Sequence, residues 1–264
     1  MSRIEHVGRY RIGSTITYGR REGNGFARLS GAPWEDGRET GAFDPDSDVV
    51  PLAPVVPTKI VCVGLNYRAH IAESASVGAS DTPRDEPLIF LKPPSAVIGS
   101  GTAIRYPQGV TRLDPEAELA IVIGRRAHRV AESEARGAIA GLTCFNDVSA
   151  RNYQRSDGQW TRAKGFDTFA PLGPWIRIGL APEGLDVECR VNGERRQLGN
   201  TADLLFAVPY LIRYVSHIMT LEPGDVIATG TPAGVAPVVV GDRIEVVVEG
   251  IGVLENRVEA GEAE

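Results

Sequence analysis

Three carboxylates are the strongest candidates for chemistry in this chain of 264 residues. Glu116 and Glu118 open the apolar run "LDPEAELAIVIG" (113–124), and Asp147 ends the run "LTCFND". Residues two apart on a strand point to the same face, so the glutamates repel each other unless a cation or a shared proton intervenes. An exposed, hydrated Glu-x-Glu pair is the ordinary alternative. A third carboxylate at a strand end instead predicts a site for a hard divalent cation, Mg²⁺ or Mn²⁺.

A second pair of reactive residues lies in "GLNYRAHIAES". His70 and Glu73 are three residues apart, which places them on the same side of a helical turn. The carboxylate can then orient and polarise the imidazole, and such a pair can act as a general base on water. Because His-x-x-Glu pairs are also common on solvated helices, the spacing alone leaves both interpretations open.

Two lysines and a glycine-rich loop add further polar groups. Lys92 ends the run "PLIFLK", and Lys164 lies in "TRAKGFD". A lysine beside carboxylates can bind the carboxylate of a substrate, although most lysines are simply exposed. The loop "ATGTPAGV" (228–235) offers N–H groups and threonine hydroxyls to an anion, or forms only a tight turn. It lacks the patterns of nucleotide-binding loops.

The elements that must position these residues are mostly strands. Short β-branched runs are divided by Gly, Pro and Asp, and no regular alternation of strands and helices is present. Helices are predicted at "ESEARGAIAG" (132–141) and at "DLLFAVPYLIRYVSHIMTL" (203–221), the latter interrupted by Pro209. This pattern predicts a β-rich α+β fold with a mixed, mainly antiparallel sheet.

The chain divides near a proline-rich connector, "VVPLAPVVP". We predict a small β-containing N-terminal domain or arm over residues 1–55 and a catalytic domain over residues 56–264. No internal repeat at a fixed period is present.

Composition indicates which partners the protein does not bind and in which cellular compartment we expect it. The net charge of −6 and the absence of Lys and Arg clusters argue against nucleic-acid binding. The scattered cysteines Cys62, Cys144 and Cys189 indicate reduced, packed thiols. No apolar stretch is long enough to span a membrane, so we expect a cytoplasmic protein with no membrane partner.

Taken together and in order, these segments resemble the fumarylacetoacetate hydrolase family. The similar motifs are "GLNYRAHIAE", "PLIFLKP", "LDPEAELAIVIG", "FNDVSARNYQ", "AKGFDTFAPLGPW" and "GDVIATGTPAGV", within residues 59–255. The resemblance implies a β-roll-like catalytic domain, a variable N-terminal part, a homodimer and bound Mg²⁺ or Mn²⁺.

The resemblance also implies roles for individual residues. The metal ligands would be Glu116, Glu118 and Asp147. A water-activating dyad on a lid over the substrate would be formed by His70 and Glu73. Lining the site would be Lys164, as a further catalytic residue, and the substrate-binding residues Lys92, Arg151, Gln154 and Thr231.

A hard cation favours a small-molecule 2-oxo acid as substrate, because vicinal carboxylate and keto oxygens chelate it and an enolate is then stabilised. Hydrolysis of a C–C bond in an acylpyruvate, such as fumarylpyruvate, is the leading interpretation. The alternatives are isomerisation of 2-hydroxyhepta-2,4-diene-1,7-dioate in aromatic catabolism, decarboxylation of oxaloacetate, and a non-catalytic metal-stabilised binding protein. We expect the distal end of the substrate to contact the loops "SASVGASDTPRDE" and "QRSDGQW".

Overall fold

The computed structural model describes residues 5–74 and 85–261. Within them the chain forms nineteen strands and five α-helices. The strands are β1 Glu5–Ile12, β2 Thr15–Glu22, β3 Gly25–Leu29, β4 Glu39–Pro45, β5 Val49–Leu52, β6 Ile60–Gly64, β7 Leu88–Lys92, β8 Val97–Ile98, β9 Ile104–Tyr106, β10 Leu113–Asp114, β11 Ala117–Ile123, β12 Ile139–Asn146, β13 Ser149–Ala150, β14 Ala170–Ile178, β15 Asp186–Val191, β16 Glu194–Asn200, β17 Val226–Ala228, β18 Arg243–Val248 and β19 Gly252–Ala260. The helices are α1 Arg68–Ser74, α2 Glu132–Ala135, α3 Arg151–Ser156, α4 Thr161–Lys164 and α5 Val208–Ile218.

Twelve strands form one mixed sheet, and five form a second. The large sheet runs in the order β4-β3-β2-β1-β14-β12-β11-β17-β6-β7, with β5 and β8 pairing beside β1 and β14. The second sheet has the order β16-β15-β18-β19-β9, and β10 pairs with β13. Most neighbours are antiparallel, whereas β17 and β6 are parallel. The predicted β-rich α+β fold is confirmed.

The N-terminal strands extend the large sheet. Strands β1 to β4 form an antiparallel meander, and β1 pairs with β14 so that Val7 lies opposite Ile176. The N-terminal segment therefore shares its hydrogen-bonding ladder with the segment that carries the candidate site. The domain boundary near residue 55 stays a prediction.

Strand β11 is buried on both faces, which explains its nearly continuous apolar sequence. Leu119 and Ile121 pack into the core shared with the second sheet. Ala120 and Val122 pack into a separate core on the opposite face. Because side chains alternate along a strand, Glu118 points to the same face as Ala120 and Val122. The Glu118 carboxylate therefore lies next to this apolar core.

The helices differ from the sequence predictions in two places. Helix α5 begins at Val208, so Pro209 lies in its first turn, where a missing N–H costs nothing, and does not interrupt it. The segment predicted as a polar helix over 132–141 is helical only over Glu132–Ala135, because the chain joins β12 at Ile139 and pairs with β11. Among the described residues, no helix is long and apolar enough to cross a membrane.

Candidate metal and substrate site

The three predicted carboxylates converge at one point of the large sheet. Glu116, Glu118 and Asp147 each place a carboxylate oxygen within 4.8 Å of the others, and all three side chains are buried. Adjacent strands cause this convergence, because Ala117 on β11 pairs with Asn146 on β12. The Asn146 side-chain oxygen also accepts a 3.0 Å hydrogen bond from the Glu116 backbone N–H. Three carboxylate groups are thus available to one hard cation.

Two buried ammonium groups lie among these carboxylates. Lys164 Nζ donates 2.6 Å hydrogen bonds to Glu116 Oε2 and Asp147 Oδ2. Lys92 Nζ donates to Asp147 Oδ1 at 2.5 Å and to the Val148 carbonyl at 3.1 Å. Asp147 is therefore paired with a lysine on each oxygen. The structure places both sequence-predicted lysines inside the site.

Glu116 and Glu118 have opposite electrostatic surroundings. Burial alone would raise the pKa of Glu116, but the charges of Arg151 and Lys164 outweigh it and hold that pKa well below its usual range. Burial raises the pKa of Glu118, and the neighbouring charges of Asp147 and Glu116 raise it further. A buried carboxylate that repels its neighbours is stabilised by a cation placed between them.

Within the described residues, Glu118 has no lysine or arginine ion pair, and its hydrogen bond comes from the Gly230 backbone N–H. The carboxylate donor set and the unpaired charge of Glu118 therefore fit a divalent cation. Their assignment as metal ligands stays a prediction.

Arg151 joins the carboxylates to a second acidic residue. Its Nε donates to Asp114 Oδ2 at 2.8 Å, its Nη1 donates to Gln154 Oε1 at 2.8 Å, and its Nη2 donates to Glu116. Asp114 is fully buried and also accepts two hydrogen bonds from Arg112 at 2.9 Å. Arg151 and Gln154, both predicted to bind substrate, therefore lie beside the carboxylates.

Asp114 and Arg112 were not predicted from the sequence. A signal was available for Asp114, because it precedes Glu116 by two residues, the same spacing that separates Glu116 from Glu118. No comparable signal marks Arg112, whose role depends on the partner that the fold brings to it.

Helix α1 carries the predicted dyad. His70 Nδ1 lies 3.4 Å from Glu73 Oε2, and the Gly234 backbone N–H donates to the same oxygen at 3.0 Å. The contact with His70 is the main cause of the lowered pKa of Glu73. The charge of His70 is a further contribution to the lowered pKa of Glu116. The two side chains of the dyad are therefore in contact, and their role as a base stays a prediction.

The loop over residues 228–235 is anchored to β11. The Thr231 hydroxyl donates to the Ala117 carbonyl at 2.9 Å and accepts a hydrogen bond from Gln197 at 2.8 Å. The hydroxyl hydrogen is therefore already committed, and only an acceptor lone pair remains for another group. The predicted contact between Thr231 and substrate stays a prediction.

Further residues that hold the site were not predicted. The Asn66 side chain is fully buried and donates to the Thr229 carbonyl at 2.8 Å while accepting from the Phe206 N–H at 2.8 Å.

The structure describes one of the two loops predicted to contact the distal end of the substrate. Trp160, in the predicted loop "QRSDGQW", contacts the ring of Phe90 edge-on. Most of the other predicted loop, residues 75–84, lies outside the described residues.

Comparisons with known proteins show the family of this chain. The family model described as fumarylacetoacetate (FAA) hydrolase C-terminal matches residues 59–259. The chain is similar to an Arabidopsis thaliana mitochondrial oxaloacetate tautomerase, with 44% identity over 208 residues, covering 76% of this chain and 91% of the relative.

Two solved structures are similar over nearly the whole chain. A Mycobacterium smegmatis 5-carboxymethyl-2-hydroxymuconate delta-isomerase is 41% identical, with a TM-score of 0.89, covering 97% of this chain and 99% of that one. A maleylpyruvate hydrolase from Sphingobium, solved with manganese(II) and pyruvate, is 31% identical, with a TM-score of 0.79, covering 97% of this chain and 100% of that one.

Proposed function

Because the chain belongs to the fumarylacetoacetate hydrolase family, we propose that it is a divalent-cation-dependent enzyme acting on 2-oxo acids through an enolate. We propose that its reaction is proton transfer between the enol and keto forms of a 2-oxo dicarboxylic acid. The observation that carries this proposal is the buried cluster of Glu116, Glu118 and Asp147 around the ammonium group of Lys164. The Arabidopsis tautomerase and the Mycobacterium isomerase support it, because both are named for rearrangement within one molecule.

The cation is Mg²⁺ or Mn²⁺, held by Glu116, Glu118 and Asp147. Oxygen-only ligands favour such hard ions, and the Sphingobium hydrolase contains manganese(II) together with pyruvate. When bound, the ion supplies Lewis-acid polarisation of the carboxylate and keto oxygens of the substrate, which lowers the free energy of the enolate.

The chain's own residues orient the substrate and move the proton. Lys164 Nζ carries its protons inside a buried site, where a hydrogen bond to developing oxygen charge is stronger than in water. The Gln154 amide nitrogen makes no hydrogen bond within the described residues and can donate to a substrate carboxylate. His70, oriented by its contact with Glu73, takes the proton from the carbon next to the keto group.

C–C hydrolysis of an acylpyruvate is the second candidate, and the His70–Glu73 contact favours it. In that reaction His70 takes a proton from water, and the resulting hydroxide attacks the distal carbonyl. The C–C bond then breaks, with its electron pair forming the pyruvate enolate and a carboxylic acid leaving. Decarboxylation of oxaloacetate reaches the same enolate without an attacking water.

An assay panel separates these reactions. Metal-stripped protein is supplied with Mg²⁺ or Mn²⁺ and given enol-oxaloacetate, a 2-hydroxy-dienedioate and fumarylpyruvate, and the enol absorbance and released pyruvate are recorded. We expect fast enol loss without pyruvate release for the first two, restored only by metal. Asp147→Asn removes this activity, whereas Glu259→Gln, an exposed carboxylate paired with Arg105, does not.

Turnover that survives removal of metal contradicts the proposal. Calorimetry should show that oxalate binds only when metal is present, and metal-independent binding would count against the proposal. A non-catalytic binding protein would convert none of the substrates. We also propose that the enzyme is a homodimer, for which the family likeness is the support. The molecular mass in solution tests this.

A further inference from the structure

Arg112 and Arg151 share one buried carboxylate, Asp114. Arg112 donates through Nε to Asp114 Oδ1 and through Nη2 to Asp114 Oδ2, both at 2.9 Å. Arg151 donates to Asp114 Oδ2 at 2.8 Å. The two guanidinium groups thus share Asp114, and Arg151 has Glu116 as a second carboxylate partner.

The two arginines differ in the number of N–H donors that remain available to a ligand. Arg151 is buried, and all three of its nitrogens are engaged by Asp114, Gln154 and Glu116. A third of the Arg112 side chain is exposed, and its hydrogen bonds within the described residues use only Nε and Nη2. Nη1 of Arg112 therefore keeps two N–H donors, held in place by the two bonds to Asp114.

Arg112 lies next to the elements that form the site. Its carbonyl accepts a 2.9 Å hydrogen bond from the backbone N–H of Arg151, at the start of α3. The hydrogen bond with Asp114 raises the pKa of Arg112, and the charge of Glu73 contributes in the same direction. Arg112 is therefore a partly exposed cation beside the start of α3, separated from Glu116 by Asp114 and Arg151.

We propose that Arg112 is a specificity-determining residue that binds the distal carboxylate of a dicarboxylate substrate. This inference rests on the proposed function, because it requires a 2-oxo acid whose first carboxylate lies at the cluster of Glu116, Glu118 and Asp147. The distal carboxylate accepts hydrogen bonds from Nη1 of Arg112, the part of this guanidinium that Asp114 does not engage. A substrate that ends in a methyl group leaves Arg112 solvated.

Rigidity makes this contact selective. Asp114 is buried and holds the Arg112 guanidinium in a bidentate contact, so little conformational entropy is lost when a carboxylate binds. Arginine also matches the planar carboxylate better than lysine does.

The test compares two ligands that differ only at the distal end, 2-oxoadipate and 2-oxohexanoate. Their affinities for the Mg²⁺-loaded protein are measured by calorimetry for wild type, Arg112→Gln, Arg112→Lys and the control Arg126→Gln, an exposed arginine paired with Glu222. We expect wild type to prefer 2-oxoadipate by about tenfold or more, as for an arginine–carboxylate contact near the surface. Arg112→Gln should remove the preference without weakening 2-oxohexanoate, Arg112→Lys should retain part of it, and Arg126→Gln should match wild type.

Two results overturn the inference while leaving the proposed function intact. One is that wild type binds both ligands equally. The other is that Arg112→Gln weakens both ligands by the same factor, as loss of support for Asp114 and Arg151 would. If wild type binds neither ligand in the presence of Mg²⁺, the proposed function fails together with the inference. Thermal unfolding of each variant shows whether Arg112→Gln is folded, and Arg112→Lys provides a second test if it is not.

Discussion

The backbone N–H of Gly230 donates a 2.8 Å hydrogen bond to Oε2 of Glu118. This bond connects the loop after β17 to the side chain of β11 that has no lysine or arginine partner within the described residues. The loop therefore contributes to the position of one candidate metal ligand. Its own conformation depends on glycine, because Gly230 has a φ of +100°.

Gly230→Ala should reduce both stability and cation affinity. A Cβ at this position would lie 2.9 Å from Cβ of Asn66 and 3.1 Å from the Val63 carbonyl oxygen, in a backbone conformation that alanine rarely adopts. We expect a loss of about 1–3 kcal/mol in the free energy of unfolding, measured by urea denaturation. Calorimetry should show weaker Mn²⁺ binding.

Gly241→Ala is the matched control for the glycine, because Gly241 also has a φ of +100° but its Cβ would meet nothing within 4 Å. It should lose stability through backbone strain alone and bind Mn²⁺ like wild type. Equal Mn²⁺ affinities for wild type and Gly230→Ala would show that the loop does not position Glu118.

Glu118→Gln and Asp147→Asn should have opposite effects on the metal-free protein. Glu118 is a buried carboxylate beside two like charges, so removing its charge should stabilise the fold by about 1–2 kcal/mol. Asp147 is paired with both Lys92 and Lys164, so its loss leaves buried ammonium groups underpaired and should cost about 3–5 kcal/mol. Both substitutions should weaken Mn²⁺ binding.

The two measurements for these variants are urea denaturation in the presence of chelator and calorimetry with Mn²⁺. If Glu118→Gln instead destabilises the metal-free protein, the Glu118 carboxylate is stabilised there without metal. That result would contradict the difference in electrostatic surroundings between Glu116 and Glu118.

The sequence predicted the carboxylate cluster because that information is local. The period of two along the β11 segment places Glu116 and Glu118 on one face. The end of an apolar run places Asp147 directly after the last residue of β12. The β-rich class likewise follows from short β-branched runs. The ends of the helices were predicted less well, because pairing of β12 with β11 overrides the helical tendency of residues after 135.

The supporting residues could not be predicted, because their partners are distant in the chain. Asn66 is fixed by Thr229 and Phe206, more than a hundred residues away, and only the folded loops bring them together. Arg112 is polar and partly exposed, like many arginines. Its contact with Asp114 connects it to the site only because Arg151 donates to the same carboxylate, and the sequence does not show that shared contact. Local spacing can identify ligands, whereas the groups that hold them depend on tertiary pairing.

Asp44 should make the stability of the N-terminal strands depend on pH. Its carboxylate accepts hydrogen bonds from Arg28 at 2.8 and 2.5 Å and from the Tyr10 hydroxyl at 2.6 Å. The bonds from Arg28 are the main reason that the pKa of Asp44 lies below its usual value of 3.8. Because the folded-state pKa is lower, the stabilisation is complete above 3.8 and disappears as the pH falls through the folded-state value.

Asp44→Asn should therefore lower the free energy of unfolding by about 1–2 kcal/mol near pH 7, a modest value because a third of the Arg28 side chain is exposed. The difference from wild type should stay constant between about pH 5 and 8 and shrink below pH 4. Asp46→Asn, at an exposed contact with Arg21, is the control and should change stability less. A difference that persists undiminished at the lowest pH would show that the loss is one of packing and not of charge.

His70→Asn should distinguish the two candidate reactions. If His70 is the base that activates water, hydrolysis of fumarylpyruvate should fall by about 10²–10⁴-fold, the usual contribution of general-base catalysis. Glu73→Gln should cause a smaller loss, because Glu73 orients the imidazole through a 3.4 Å contact but touches no reacting atom in this scheme. The control His128→Gln changes an exposed histidine that contacts Thr220 and should leave every rate unchanged.

Enol–keto conversion tests the same residue differently. In the proposed tautomerisation His70 exchanges the carbon-bound proton, so ketonisation should also fall. Lys164 remains in His70→Asn as a second proton donor between Glu116 and Asp147, so ketonisation should retain more activity than hydrolysis does. The measurement is the ratio of the two kcat values for wild type and variant at saturating Mg²⁺. Equal losses would show that Lys164 does not substitute for His70 in ketonisation, and no loss in either reaction would remove His70 from the mechanism.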